Sequence, residues 1–212
     1  LLNMNIKLVS QDGSGITADT ETVYVSAALD ENNPDIKAAR ALNIPVKQRS
    51  DLLAEVFHGY PFGIAVGGTS GKTTTTAMIG YIFDMLGQKP CLVNGGMLRN
   101  YEQLKGLPNF IYNEGRFCII EADESDGSIC KYHPQIALVN NISHDHTSME
   151  NLIGYFQTFA DNTKGTLVVN GDCELTRNLK HDRKTTFSVK DPAADFFADG
   201  IKCLPDGVEY NF

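Results

Sequence analysis

The residues with the clearest chemical potential are Gly67-Gly68-Thr69-Ser70-Gly71-Lys72-Thr73, set directly behind the apolar run Phe62–Val66. A strand feeding a glycine-rich turn and then a helix aims several backbone N–H groups at one point. The helix dipole adds positive potential there, which suits a polyphosphate. In that frame Lys72 reaches the β- and γ-phosphates, and the Thr73 hydroxyl faces a Mg²⁺ ion. The usual phosphate loop has glycine at its first position; here that position is Val66, so Gly67 and Gly68 lie closer to the lysine. The run Thr73–Thr76 is a poor helix former alone, so tertiary packing or ligand must hold the turn.

Further candidate groups stand at other strand ends. Phe117–Glu121 is apolar and ends in a carboxylate, the kind of acid that serves Mg²⁺ beside a phosphate loop, directly or through water. Asp123, Glu124 and Asp126 follow at the carboxyl edge, where open α/β sheets bind ligands. For these acids a solvated turn is an equally open reading, whereas Glu121 is carried into the sheet by its apolar neighbours. His144-Asp145-His146 follows Ile136–Asn140 at the same edge. Mg²⁺ prefers oxygen ligands, so only position nominates His146, and a plain surface loop stays open for the pair.

The elements that must position these groups alternate between strand and helix. Strands are predicted at Phe62–Val66, Cys91–Val93, Phe117–Glu121, Ile136–Asn140, Leu167–Asn170 and Thr185–Val189. A helix over about 73–86 places Ile79, Ile82, Phe83 and Leu86 on one stripe, and another over about 148–161 carries Met149, Leu152, Ile153, Phe156 and Phe159. Near-continuous apolar strands imply a mostly parallel sheet flanked by helices, an α/β fold. Upstream, Ile6–Val9 and Thr22–Ser26 read as strands, and Asn33-Pro34 opens a helix that turns Ile36, Ala39 and Leu42 inward. After the strand Ile44–Val46, Ser50 caps a short helix with Leu52, Leu53, Val56 and Phe57 on one face. His58–Pro61 is the best domain boundary, and Phe196–Phe212 reads as a β-hairpin around Pro205-Asp206-Gly207.

The formal net charge of −8 over 212 residues argues against a nucleic-acid surface, which needs a lysine and arginine excess. No apolar run approaches the length of a membrane span, so no membrane association is expected. The five cysteines are widely spaced and lack a CxxC pair, which reads as reduced thiols in a cytoplasmic protein. The chain begins Leu1-Leu2, which is expected of a processed protein or a piece of a longer one.

In order and spacing, four runs together resemble the central domain of the Mur ligase family. They are Gly68 to Met78, Val93-Asn94-Gly95-Gly96, Glu121 to Ser128, and Asn141-Ile142 followed by Asp145-His146. Val25–Ala28 with Asn33-Pro34 resembles, more weakly, the end of that family's UDP-sugar-binding domain. The resemblance implies a remnant of a Rossmann-like UDP-sugar-binding domain over 1–57 and a P-loop type, central ATP-binding domain over 62–212. It further implies an ATP-dependent amide ligase of peptidoglycan precursor synthesis. A muramate carboxylate attacks the γ-phosphate, and the amine of L-alanine displaces phosphate from the acyl phosphate, so UDP-N-acetylmuramate and L-alanine are the small-molecule substrates.

Carried over residue by residue, Gly68, Thr69, Ser70, Gly71, Lys72, Thr73 and Thr74 cradle ATP, with Lys72, Glu121 and His146 as the catalytic set. Thr73 and Glu121 hold Mg²⁺, His146 serves a second Mg²⁺, and Asn94 and Ser125 lie toward the substrate. Ser70 departs from the histidine usual in alanine-adding members. No carbamylated lysine is assigned, because Asp161 stands where one is expected and Lys164 is the nearest lysine. The family's glycine fingerprint of the first domain and its third domain have no counterpart in this sequence. A murein-tripeptide recycling ligase of the same family is the alternative, as is an ATP-binding module without ligase activity of its own. Oligomeric state is left open.

Overall fold

The computed structural model of the protein describes residues 6–101, 109–144 and 148–212. The chain divides into two compact units, one ending at Glu55 and the next beginning at Val56, so the division falls inside a helix just ahead of His58–Pro61.

In the first unit, β1 (Val23–Val25) and β2 (Val46–Gln48) pair in parallel, with α1 (Pro34–Ala41) between them in sequence. The Asn33 side chain accepts the Asp35 N–H at 2.9 Å, and Pro34 takes a first-turn position where no N–H is required. Ile36 and Ala39 are buried as predicted. Leu42 is not: it follows the last helical residue and lies outward. Ile6–Val9 forms no strand and is exposed, because β-propensity takes effect only where such side chains pack on a sheet.

The next helix, α2 (Arg49–His58), begins ahead of Ser50, which therefore is not its cap. The Asp51 carboxylate accepts the Gln48 N–H at 2.8 Å and ties down the helix start instead. Ser50, Ala54 and Phe57 are buried, while Leu52 and Val56 face outward, so the buried stripe is rotated from the most apolar one.

The second unit is built on an eight-stranded sheet in the order β10-β9-β8-β7-β3-β6-β4-β5. The strands are β3 (Phe62–Gly67), β4 (Cys91–Val93), β5 (Phe110–Ile111), β6 (Phe117–Glu121), β7 (Ile136–Val139), β8 (Thr166–Asn170), β9 (Lys184–Ser188) and β10 (Phe196–Phe197). Every neighbouring pair runs parallel except β4 with β5. The chain leaves β3 toward β4, returns to β6 beside β3, then crosses to β7 on the other side. This places the carboxyl end of β3 at a topological switch, where ligands of open sheets bind.

One face of the sheet is covered by α3 (Lys72–Met85), with Ala77, Ile79 and Phe83 packed on a core of Ile64, Leu92, Leu98 and Ile119. Full burial of such aliphatic side chains contributes about 1.5–3 kcal/mol each. Ile82 and Leu86, expected inward, are exposed. The reason is Gly80: a Cβ there would lie 2.5 Å from Leu92 Cδ2, so α3 approaches the sheet through a small residue and its stripe is rotated. On the other face, α4 (Met149–Asp161) is capped by Ser148 and buries Leu152, Phe156 and Phe159, with Ile153 turned outward.

After the short α5 (Glu174–Arg177) and β9, the expected terminal hairpin splits. Phe196–Phe197 joins the main sheet as β10, and only β11 (Asp199–Leu204) and β12 (Gly207–Asn211) form the hairpin, closed at Pro205-Asp206. All five cysteines are free.

Candidate active site

The phosphate loop occupies the switch point. β3 carries its chain, buried from Gly63 onward, up to Gly68, and Gly71 caps α3 in the left-handed region at φ 81° without a side-chain cap. Gly68 has φ 135°, and a Cβ there would sit 3.1 Å from Asn140 Cβ, so the loop needs glycine at this point. Asn140 and Asn141, just past β7, brace the loop from the side. Asn141 O accepts the Thr69 N–H at 3.0 Å, and its side chain both accepts from Ser70 N at 2.9 Å and donates to Ser70 O at 3.0 Å. Asn140 Nδ2 donates to Thr75 Oγ1 at 3.1 Å, and Thr69 Oγ1 accepts the Ser143 N–H at 3.0 Å. This lattice supplies the tertiary support that the threonine run lacks by itself. Ser70, Gly71 and Thr74 are exposed around the mouth, where the first N–H groups of α3 have no intrahelical partner.

Beside the loop, β3 and β6 run in register so that Val66 faces Glu121. Thr73 Oγ1 donates to Glu121 Oε1 at 3.0 Å, and Gly95 N donates to Glu121 Oε2 at 2.8 Å. The carboxylate is pinned through both oxygens. A hydroxyl and a carboxylate in contact form a hard-oxygen donor pair, which fits Mg²⁺ with phosphate oxygens and water completing its shell. No cluster of three or more His, Cys, Asp or Glu gathers for a metal elsewhere among the described residues. His146, the residue nominated for a second ion, lies outside the described residues.

The Lys72 ammonium donates to Gly68 O at 2.9 Å and to Glu124 Oε1 at 3.0 Å, with Glu124 Oε2 also at 2.9 Å. Glu124 is only 2% exposed. Burial pushes its carboxyl above the usual range, and the hydrogen bond and charge of Lys72 oppose that rise. The neighbouring acids differ. Asp123 accepts the Ser125 N–H and Asp126 the Ser128 N–H, so both serve the turn. Ser125 is exposed and the structure does not bring it to Lys72 or Glu121. Asn94 is buried at the end of β4; its Nδ2 donates to Gly96 O at 3.0 Å and shapes the Gly95-Gly96 turn against Glu121 and Thr73.

Thus the structure joins Gly68–Thr73 with Glu121, gives Glu124, Gly95 and Asn141 roles that the motif runs left unassigned, and adds Asn140. The adjacent asparagines at a strand end beside the loop are the signal that could have revealed the brace. Nothing in the spacing separates Glu124 from Asp123 and Asp126.

Residues 66–212 match the family described as Mur ligase middle domain. The chain belongs to the Mur ligase family. In this Mur ligase chain, residues 1–61 also match the description Mur ligase family, catalytic domain. A UDP-N-acetylmuramate–L-alanine ligase of Thermosynechococcus vestitus is 37% identical over 191 residues, covering 87% of this chain and 39% of that protein. One of the same name from Maricaulis maris is 33% identical over 214 residues, covering 97% of this chain and 43% of that protein. The crystal structure of UDP-N-acetylmuramate-alanine ligase MurC from Thermotoga maritima matches with a TM-score of 0.79 at 26% identity, over 93% of this chain and 45% of that one. The Mur ligase chain described here therefore spans about two-fifths of the length of the curated relatives it matches. Among its described residues, no helix is long and apolar enough to cross a membrane.

Proposed function

We propose that this chain supplies the ATP and Mg²⁺ part of an amide ligase that joins L-alanine to UDP-N-acetylmuramate in peptidoglycan precursor synthesis. The observation that carries the reading is the meeting of Lys72, Thr73 and Glu121 at one strand-end crevice, beside an exposed turn that begins a helix. The names of the curated relatives support the choice of substrates.

In this reading the Gly68–Gly71 turn and the N–H groups opening α3 bind the triphosphate. Lys72 places a positive charge where negative charge grows during transfer of the γ-phosphoryl group to the muramate carboxylate. Thr73 and Glu121 would hold Mg²⁺, which supplies charge neutralisation on the phosphate oxygens. Gly95 keeps the Glu121 carboxylate aimed at that place, and the Asn140–Asn141 brace keeps the loop rigid, so little reorganisation is needed at the moment of reaction. Asn94 and Ser125 are assigned to the substrate side and His146 to a second Mg²⁺. Such a protein works in the cytoplasm on small molecules.

The test is phosphate release by the chain with ATP, Mg²⁺, UDP-N-acetylmuramate and each candidate acceptor. Alanine-dependent release supports the proposal. Release only with the murein tripeptide moves the assignment to the recycling ligase. Mg·ATP binding without release leaves a nucleotide-binding module, and loss of binding altogether removes the reading.

A further inference from the structure

Lys72 stands at the N-terminus of α3, where the helix dipole is positive and a cation is disfavoured. A lysine stem has four rotatable carbons, so without a counter-charge its head is drawn away from the loop mouth into water. Yet its side chain is only 14% exposed, with the ammonium folded back over the loop onto Gly68 O at 2.9 Å. The group that keeps it there is Glu124. Of the acids in this turn, Asp123 and Asp126 are occupied by backbone N–H groups, and Glu124 alone is turned inward onto the lysine.

We propose that Glu124 is a positioning residue: its buried carboxylate holds the Lys72 ammonium over the phosphate loop, ready for the terminal phosphates of the nucleotide. The proposal rests on the nucleotide reading above and deepens it. Glu124 itself touches neither the Thr73–Glu121 pair nor, in this role, the reacting atoms; it acts through Lys72. A purely structural role is a poor account of the pair, because buried ion pairs stabilise folds no better than apolar residues of similar volume. Its place at the phosphate loop gives the desolvation cost a purpose. Protein kinases hold their phosphate-binding lysine with a carboxylate on the same principle. The geometry gathers the ammonium between Gly68 O at 2.9 Å and both oxygens of the Glu124 carboxylate, at 3.0 and 2.9 Å.

Calorimetric titration of the chain with Mg·ATP tests this, using wild type, Glu124→Gln, Lys72→Met and the double variant, with thermal unfolding of each. Glutamine keeps the shape and removes the charge. Glu124→Gln is expected to weaken Mg·ATP at least about tenfold, the worth of one charge-assisted hydrogen bond. In the Lys72→Met background the same change is expected to do nothing further, which a merely structural residue would not show. Should Glu124→Gln fail to fold, Glu124→Asp takes its place; it keeps the charge on a shorter stem and is expected to lose part of the affinity at a near-normal melting temperature. Unchanged or tighter binding by Glu124→Gln overturns the proposal, and so does a loss that persists beside Lys72→Met. Wild-type chain that does not bind Mg·ATP is a different failure, since it takes down the nucleotide reading itself.

Discussion

At the amino ends of the strands, side chains of the second unit close largely on backbone; at the carboxyl ends of β3 and β6 backbone contacts are joined by two side-chain pairs that gather around the glycine-rich loop. Gln135 Oε1 accepts the Gly63 N–H at 2.6 Å, Tyr60 donates to Asn113 O at 3.0 Å, and Arg183 Nη2 donates to Lys164 O at 3.1 Å. His181 bridges by its ring to Thr163 O at 3.0 Å and to the Arg183 backbone, whose N–H lies 3.1 Å from Nδ1. The opposite end holds the pairs Lys72–Glu124 and Thr73–Glu121. Among the described residues, the buried side-chain atoms left without a hydrogen bond include Thr76 Oγ1 and Asn94 Oδ1, both at this end, while Glu124 Oε2 is held 2.9 Å from the Lys72 ammonium. The amino edge also carries a cleft of about 410 Å³, lined by Lys164, Lys180, His181 and Arg183. What marks the end proposed to bind the nucleotide is the pairs Lys72–Glu124 and Thr73–Glu121, in which polar side chains hold one another.

The largest test of that contrast is Lys72→Met. It removes the cation proposed to face the terminal phosphates, a charge-assisted contact worth about 2 kcal/mol or more, so Mg·ATP affinity is expected to fall by roughly 30-fold or more. Affinity within a factor of about two of wild type would mean that the carboxyl edge is only structural.

A paired substitution then separates the edges. A Cβ at Gly165, on the amino side, would meet Gln135 O at 2.1 Å, whereas one at Gly95 would meet Glu121 Oε2 at 2.6 Å. Gly165→Ala must push two backbone segments apart and is expected to cost about 1–3 kcal/mol of stability with Mg·ATP affinity unchanged. Gly95→Ala displaces a side chain only. It is expected to leave the urea midpoint nearly unchanged and to weaken the Mg²⁺-dependent part of ATP binding about tenfold, the effect of losing one hydrogen bond to a charged group. If each variant moved both readouts alike, the division of labour between the edges would be wrong.

Legibility in the sequence follows the same physics. β3 and β6 are readable because strands buried on both faces are apolar along their length, β7 and β8 because their runs stay apolar although one face is only half-buried, and Gly68–Thr73 because a phosphate loop demands those residue types in order. β5 and β10, of two residues each, are too short to show any period. The buried stripe of α3 is hidden because the close approach of Gly80 to Leu92, not hydrophobicity, sets its rotation. Glu121 is legible from the strand that carries it. Glu124 is not, since only the path of the turn decides which of several adjacent acids points inward. The Asn140–Asn141 brace depends on β7 lying beside β3, a neighbour relation that sequence order does not state.

The smallest expected effect belongs to the amino edge and concerns pH. His58 closes α2, and its Nε2 accepts the His133 N–H at 3.1 Å. Burial, then the charges of His133 and Lys164, hold its pKa below the ordinary 6.5. The unfolded chain therefore takes up a proton near pH 6.5 that the folded chain refuses. Stability is expected to fall as pH drops through that value and on to the depressed folded value, and to be fully present above it. Urea midpoints at about pH 7.5 and 5.5 measure the slope, and His58→Gln, which keeps an acceptor for the His133 N–H but cannot titrate, is expected to flatten it. Because the proposed nucleotide site lies at the other edge, nucleotide affinity in His58→Gln should match wild type. An unaltered slope would show that the amino edge owes none of its pH dependence to this histidine, and altered affinity would show that the edges are coupled.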